Sequence, residues 1–204
     1  MPESAAEIHA RVLAAASDGR LPAPTITGWD VFPWEVVDGA IAPKALAAPG
    51  IEAPRMGDEG GAPCSACAGF DPESIVWEDE HWVLTAEAKP TGLPLVLILQ
   101  TRDHEDAGQI DDDLASEFGR IANRLVRIIE GLPGIGRVHV NRWGDGSSHF
   151  HVWFFVRPDG FDVIKGSFAV EWDAILPPVD DAVRRADLHA VATKLANWGG
   201  HARA

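Results

Sequence analysis

His149-Phe150-His151-Val152-Trp153-Phe154-Phe155-Val156 is the stretch on which the reading of this chain turns. Side chains on a strand alternate between faces, so His149, His151, Trp153 and Phe155 share one face and Phe150, Val152, Phe154 and Val156 the other. The second face is pure core. The first presents two imidazoles directly after Gly144-Asp145-Gly146-Ser147-Ser148, whose glycines and hydroxyls can bring backbone N–H groups close to an anion. Phosphate is the natural anion for such a turn. Two alternating histidines on a strand are as often a satisfied surface or interface pair, so the motif alone leaves both readings open.

Upstream, Arg137 to Arg142 reads as a strand. Before it, acidic residues after Asp111 open a helix whose Leu114, Phe118, Ile121, Leu125 and Ile128 keep helical spacing, with Gly131 and Pro133 at its end. Leu93 to Gln100 is a buried strand, and Ile75 to Trp77 and Trp82 to Thr85 flank the polar turn Glu78 to His81 as a hairpin. Downstream, Val179 to Trp198 forms a terminal helix with Leu188, Val191, Leu195 and Trp198 on one stripe and Gly199 as stop. At the other end, Ser4 and Glu7 make a capping box that starts a helix over residues 4–18, stopped by Gly19. Residues 20–63 turn to Pro, Gly and Ala and read as an irregular arm, a surface wrap rather than a lid; only Ile26 to Val37, with Trp29, Phe32 and Trp34, can dock. The expected fold is α+β: an antiparallel sheet of about five strands with one long helix, spanning residues 64–158. An N-terminal helix and arm (1–63) and a C-terminal extension with its helix (159–204) flank it.

The chain has 204 residues, 46% of them hydrophobic, enough for one core. Lys and Arg number 17 against 31 Asp and Glu, a net charge of −14 that argues against nucleic acid and anionic membrane surfaces as partners. The longest pure apolar run, Leu95 to Leu99, is strand-sized, so no membrane span is expected. The first residues lack a basic start and an apolar h-region, which places the protein in a reducing cytoplasm. There, two cysteines point to metal binding, redox chemistry or chance rather than a disulfide scaffold.

Cys64 and Cys67 form C-x-x-C, and with His104 and His149 they assemble a Cys2His2 set suited to tetrahedral zinc, the expected cofactor. A redox pair is the weaker reading, because Ala68 to Ser74 carries Gly69 and Pro72 where a thiol-activating helix would stand. Two ordinary buried cysteines are the third.

Cys64-Ser65-Ala66-Cys67, then Ile75-Val76-Trp77-Glu78-Asp79-Glu80-His81, a buried strand ending near His104, a long helix, and Asn141 with a Gly-rich turn before His149-Phe150-His151 together resemble the histidine triad (HIT) superfamily. The resemblance covers Cys64 to Pro158. The family motif has three histidines alternating with apolar residues; this chain has Trp153 at the third. In its C-x-x-C the chain resembles the galactose-phosphate uridylyltransferase branch, which also lacks the third histidine. That resemblance implies zinc held by Cys64, Cys67, His104 and His149, His151 as the nucleophile on phosphorus, and a homodimer.

A neutral imidazole is a competent nucleophile once a hydrogen bond fixes one ring nitrogen and leaves the other a free lone pair. Attack by His151 on an α-phosphate would give a nucleotidyl-histidine, discharged by water or another acceptor. Asn141, Arg142, Gly146, Ser147, Ser148 and the loop N–H groups are the candidate phosphate donors. Trp153 has two readings: its indole N–H donates to phosphate, or it packs at the sheet edge and the site has lost catalysis. Indole carries no proton to a leaving group, so a phosphate leaving group is favoured over an amine. His81 and His139 read as structural or solvated, Trp172 and Trp198 as core or interface, and Asp111 to Asp113 as partners of the helix dipole. The expected function is a zinc-containing nucleotide hydrolase or nucleotidyltransferase, against a non-catalytic nucleotide-binding module.

Overall fold

The computed structural model describes residues 2–23 and 31–204; of the docking stretch expected over Ile26 to Val37, residues 26–30 lie outside them. A six-stranded antiparallel sheet runs in the order β6-β7-β5-β4-β3-β8, from Ile135–Asn141 (β6) through His151–Pro158 (β7), Val96–Thr101 (β5), Trp82–Ala86 (β4) and Ile75–Glu78 (β3) to His201–Ala202 (β8). The fold is α+β, as expected, with one strand more in the sheet.

From His151 onward the alternation sorts the faces of β7 as expected; His149, expected at the start of the strand, lies before it. Phe150, Val152, Phe154 and Val156 sink into the main core with Trp82, Leu84, Leu97 and Leu99. Two helices cover that face. In α2 (Asp112–Glu130) the Asp111 side chain accepts from Leu114 N at 2.8 Å, and Ile121, Leu125 and Ile129 are buried; Ile128 is half-buried. In α4 (Asp181–Ala196) the Asp180 carboxylate accepts from Ala182 and Val183, and Leu188, Val191 and Leu195 are buried.

Trp198 departs from its expected stripe: the helix ends at Ala196, so the indole leaves the helical register and is 63% exposed. Gly199 and Gly200 (φ 130° and 71°) then reverse the chain, and His201–Ala202 add to the edge of β3. A Cβ on Gly200 would lie 2.5 Å from the Trp77 ring, so that turn needs glycine.

The second face of the sheet is only partly covered. Leu93, Val96, Phe155 and Ile164 form a smaller core beneath α3 (Phe168–Ile175), a helix not read from the sequence because it is short and Ser167 makes no side-chain cap. Pro94 has no N–H for a ladder and Leu93 N–H bonds to Asp173 at 2.8 Å, which is why β5 begins at Val96 rather than Leu93.

The N-terminal helix, α1 (Ala5–Ala15), has its capping box: Ser4 N donates to Glu7 at 2.7 Å and Glu7 N to Ser4 Oγ at 3.3 Å. Gly19 does not cap it. Asp18 and Gly19 instead make a left-handed two-residue turn closed by Ser17 and Arg20. The arm of residues 20–63 is not irregular throughout. Asp38-Gly39, both at positive φ, joins Trp34–Val37 (β1) to Ala40–Pro43 (β2) as a separate hairpin. Among the described residues, no helix is long and apolar enough to cross a membrane.

Candidate metal and nucleophile site

Sequence-distant segments converge at the N-terminal end of β7. His149 lies two residues before the ladder, which begins at His151: its N–H bonds to Ser147 Oγ at 3.1 Å, and the next N–H, of Phe150, bonds to Glu105 O at 2.6 Å. The break tucks the His149 ring under the sheet, 3% exposed. Its Nε2–H donates to Thr101 O at 2.8 Å, since a carbonyl only accepts. The Nδ1 lone pair therefore faces the thiols, at 3.5 Å from Cys64 Sγ and 3.7 Å from Cys67 Sγ. Burial, which outweighs the bond to Thr101, lowers the imidazole's basicity and favours the neutral ring.

His104 completes the cluster. Its Nδ1 lies 3.2 Å from Cys67 Sγ, and its Nε2 lies 3.4 Å from Ser148 Oγ. One donor atom from each of Cys64, Cys67, His104 and His149 lies within 4.8 Å of the others. Bonds of about 2.3 Å to sulfur and about 2.1 Å to nitrogen around a tetrahedral ion require donor separations of about 3.4 to 3.8 Å. The three sulfur–nitrogen distances lie close to that range. Burial and the neighbouring Cys64 push the Cys67 thiol up, a cost that a cation between the sulfurs reverses. All four expected ligands are thus brought together, and they could hold one metal ion. Residues 68–74 carry no helix, so the C-x-x-C lacks the helix that would activate a redox thiol.

His151 follows on β7, paired with Gln100. Its Nδ1–H donates to His149 O at 2.7 Å. The ring is half-buried, and Nε2 keeps its lone pair. His149 thus acts three times: its Nδ1 faces the thiols, its Nε2 anchors on β5, and its carbonyl sets the tautomer of His151.

The expected phosphate ligands divide. Asn141, opposite Trp153 on β6, is on the His151 face, and its buried Nδ2 has no hydrogen-bond partner among the described residues. Trp153 shares that face and stacks on Phe155 with ring centroids 5.7 Å apart. Gly146 is exposed with open space around its Cα, and Ser147 Oγ accepts from His149. Ser148 is buried; its N–H and hydroxyl both donate to Met56 O, at 3.0 and 3.2 Å. Arg142 pairs with Asp106 at 2.6 Å. His81 bonds to Glu117 at 2.9 Å, as a structural histidine does, whereas His139 has a buried Nε2 with no partner among the described residues.

Sequence reasoning missed the clamp that fixes the loop. Met56 forms an isolated parallel bridge to Ser147 and donates to Gly146 O at 3.1 Å, while Arg55 reaches Gly144 O at 3.1 Å and Asp106 at 2.8 Å. Gly57, at φ 91°, lies against His104 of the candidate donor set: a Cβ there would fall 2.6 Å from His104 Cε1 and 2.7 Å from Ser148 Oγ. The one local signal was the glycine-rich run Gly57-Asp58-Glu59-Gly60-Gly61 shortly before the cysteines.

No protein-family profile matches the chain, and no curated protein matches it by sequence. Among solved structures it is similar to a hypothetical histidine triad nucleotide-binding protein from Sulfolobus tokodaii strain7, at 17% identity and TM-score 0.40 over 61% of this chain and 84% of that one. It is also similar to a zinc-bound histidine triad family protein from Mycobacterium smegmatis, at 16% identity and TM-score 0.44, covering 65% and 90%. A HIT-like protein involved in cell-cycle regulation from Bartonella henselae is similar at 11% identity and TM-score 0.44, covering 61% and 88%.

Proposed function

We propose that this chain is a zinc-containing nucleotide hydrolase or nucleotidyltransferase in which His151 attacks an α-phosphate. The observation that carries this reading is the 2.7 Å hydrogen bond from His151 Nδ1–H to His149 O, which leaves Nε2 as the nucleophilic nitrogen. In the first step the Nε2 lone pair forms the N–P bond while the P–O bond to the leaving group breaks, its electron pair departing with that group. In the second, water or another acceptor attacks phosphorus and the N–P pair returns to the imidazole.

Cys64, Cys67, His104 and His149 would hold the zinc. A closed four-ligand site supplies rigidity, here to the loop and to the His149 carbonyl that orients His151. In this reading Asn141, Gly146, Ser147 and Trp153 would meet phosphate oxygens, and Arg142 would join them on leaving Asp106. Ser148 serves the site by positioning His104. The C-x-x-C and the missing third histidine support the likeness to the galactose-phosphate uridylyltransferase branch. A homodimer, a cytoplasmic location and a nucleotide or nucleotide conjugate as substrate belong to the same reading.

The test is turnover of adenosine phosphoramidate, dinucleoside polyphosphates and nucleotide sugars by zinc-replete protein. His151→Ala is expected to lower turnover at least about 10⁴-fold while metal content and circular dichroism stay unchanged. Cys64→Ala is expected to lose metal and stability together. The stacking of Trp153 on Phe155 favours the second reading, a nucleotide-binding module without catalysis. Nucleoside monophosphate binding with no product from any substrate would establish it.

A further inference from the structure

The side of α2 turned away from the sheet carries a feature that the site does not use. Arg120, Arg124 and Arg127 follow one another at helical spacing, and with Lys194 from the end of α4 and Trp198 beyond it they line an open groove of about 860 Å³. Small-molecule sites fall in the same size range, about 300 to 1,000 Å³. Gly119, next to Arg120, also lines the groove, with open space beside it. The Arg124 guanidinium sits 4.7 Å from the centre of the Trp198 ring, while the indole stays 63% exposed.

Charge is what sets the groove apart. The chain carries a net −14, and most other arginines hold carboxylates; among the described residues no ion pair or side-chain hydrogen bond neutralises Arg120, Arg124, Arg127 or Lys194. The two glutamates within helical reach are engaged elsewhere. Glu117 accepts from His81 and Trp82, and Glu130 accepts from Val138 N. Four cations are therefore left facing one another and solvent, a mutually repulsive arrangement that an anion relieves.

We propose that this groove binds a linear polyphosphate group, such as the phosphate chain of a nucleoside triphosphate or inorganic triphosphate. Arg120 and Arg127 are seven residues apart, about 10 Å along the helix, a span for several linked phosphates rather than one ion. Guanidinium forks match phosphate oxygens in pairs, and the free indole edge can pack on a nucleobase. Ile121, Leu125 and Ile129 bind α2 to the core face of the sheet, so the sheet separates the groove from His151. The proposal thus stands or falls independently of the chemistry assigned to His151.

Calorimetric titration of the full chain at low salt, with inorganic triphosphate and with adenosine triphosphate, tests it. The wild type is expected to bind triphosphate below millimolar concentration. Arg124→Gln with Arg127→Gln should weaken it at least about 10-fold, since charge-assisted hydrogen bonds from guanidinium to phosphate are among the strong ones. His151→Ala should leave it unchanged. A tighter fit for adenosine triphosphate that Trp198→Ala removes identifies a nucleotide as the ligand; equal affinities identify the phosphate chain alone, and both support the site. Absence of binding at millimolar triphosphate overturns it. So does binding lost in His151→Ala but kept in the double variant, or sedimentation showing that the double variant splits a dimer, which would make the groove a contact between copies.

Discussion

Trp153 and Phe154 are neighbours in the chain and point to opposite faces of one strand, yet they were built by different kinds of information. Phe154 meets the main core, to which β4 and β5 and the buried stripes of α2 and α4 all contribute apolar side chains. Trp153 belongs to a face on which His151, Asn141 and a small core beneath α3 sit side by side. One face is held by pattern and the other by contacts between remote segments, so damage to the first spreads and damage to the second stays local.

The largest break comes on the patterned face. Phe154 is fully buried, and Phe154→Ala is expected to cost about 3–5 kcal/mol of unfolding free energy. Denaturant unfolding monitored at two wavelengths checks it, and activity should be lost only in step with folding. On the other face, Gly57→Ala is expected to cost about 1–3 kcal/mol through strain at φ 91° and to displace His104. Its signature is faster zinc transfer to a chelator, and unchanged transfer would show that the clamp does not hold the ligand.

Trp153→His sharpens the comparison more gently. It removes the stack on Phe155, worth about 0.5–1.5 kcal/mol, and restores a group able to protonate a leaving amine. Turnover of adenosine phosphoramidate should rise relative to that of substrates with phosphate leaving groups, read as a ratio of kcat/KM values. The smallest effect concerns His81, whose pKa the Glu117 hydrogen bond raises above its ordinary 6.5. Its folded value exceeds its unfolded one, so the stabilisation is complete below about pH 6.5 and is lost as pH rises through the folded pKa. Both side chains are substantially exposed, which limits the effect to about 0.5 kcal/mol, and Glu117→Gln should flatten that part of the stability profile.

The patterned face was legible because period two in β7 and the capped 3.6 period of α2 need only local sequence. The donor set was legible as residue types: Cys64, Cys67, His104 and His149 do meet. The clamp was not, because Arg55 and Gly144 are 89 residues apart and a single hydrogen bond leaves no periodic trace. Asp38-Gly39 was a readable hairpin signal hidden by the Pro, Gly and Ala around it. Trp198 fitted a helical stripe on paper, but the helix ended two residues earlier.

The short return of His201–Ala202 along β3 has a consequence for solubility. An open strand edge is a template for pairing with another chain. Here the last residues occupy one rim of the sheet, and Arg203 fastens them to Glu78 at 2.6 Å. Trimming the chain after Asn197 would bare that rim, and the expected outcome is aggregation that rises with concentration while the core stays folded.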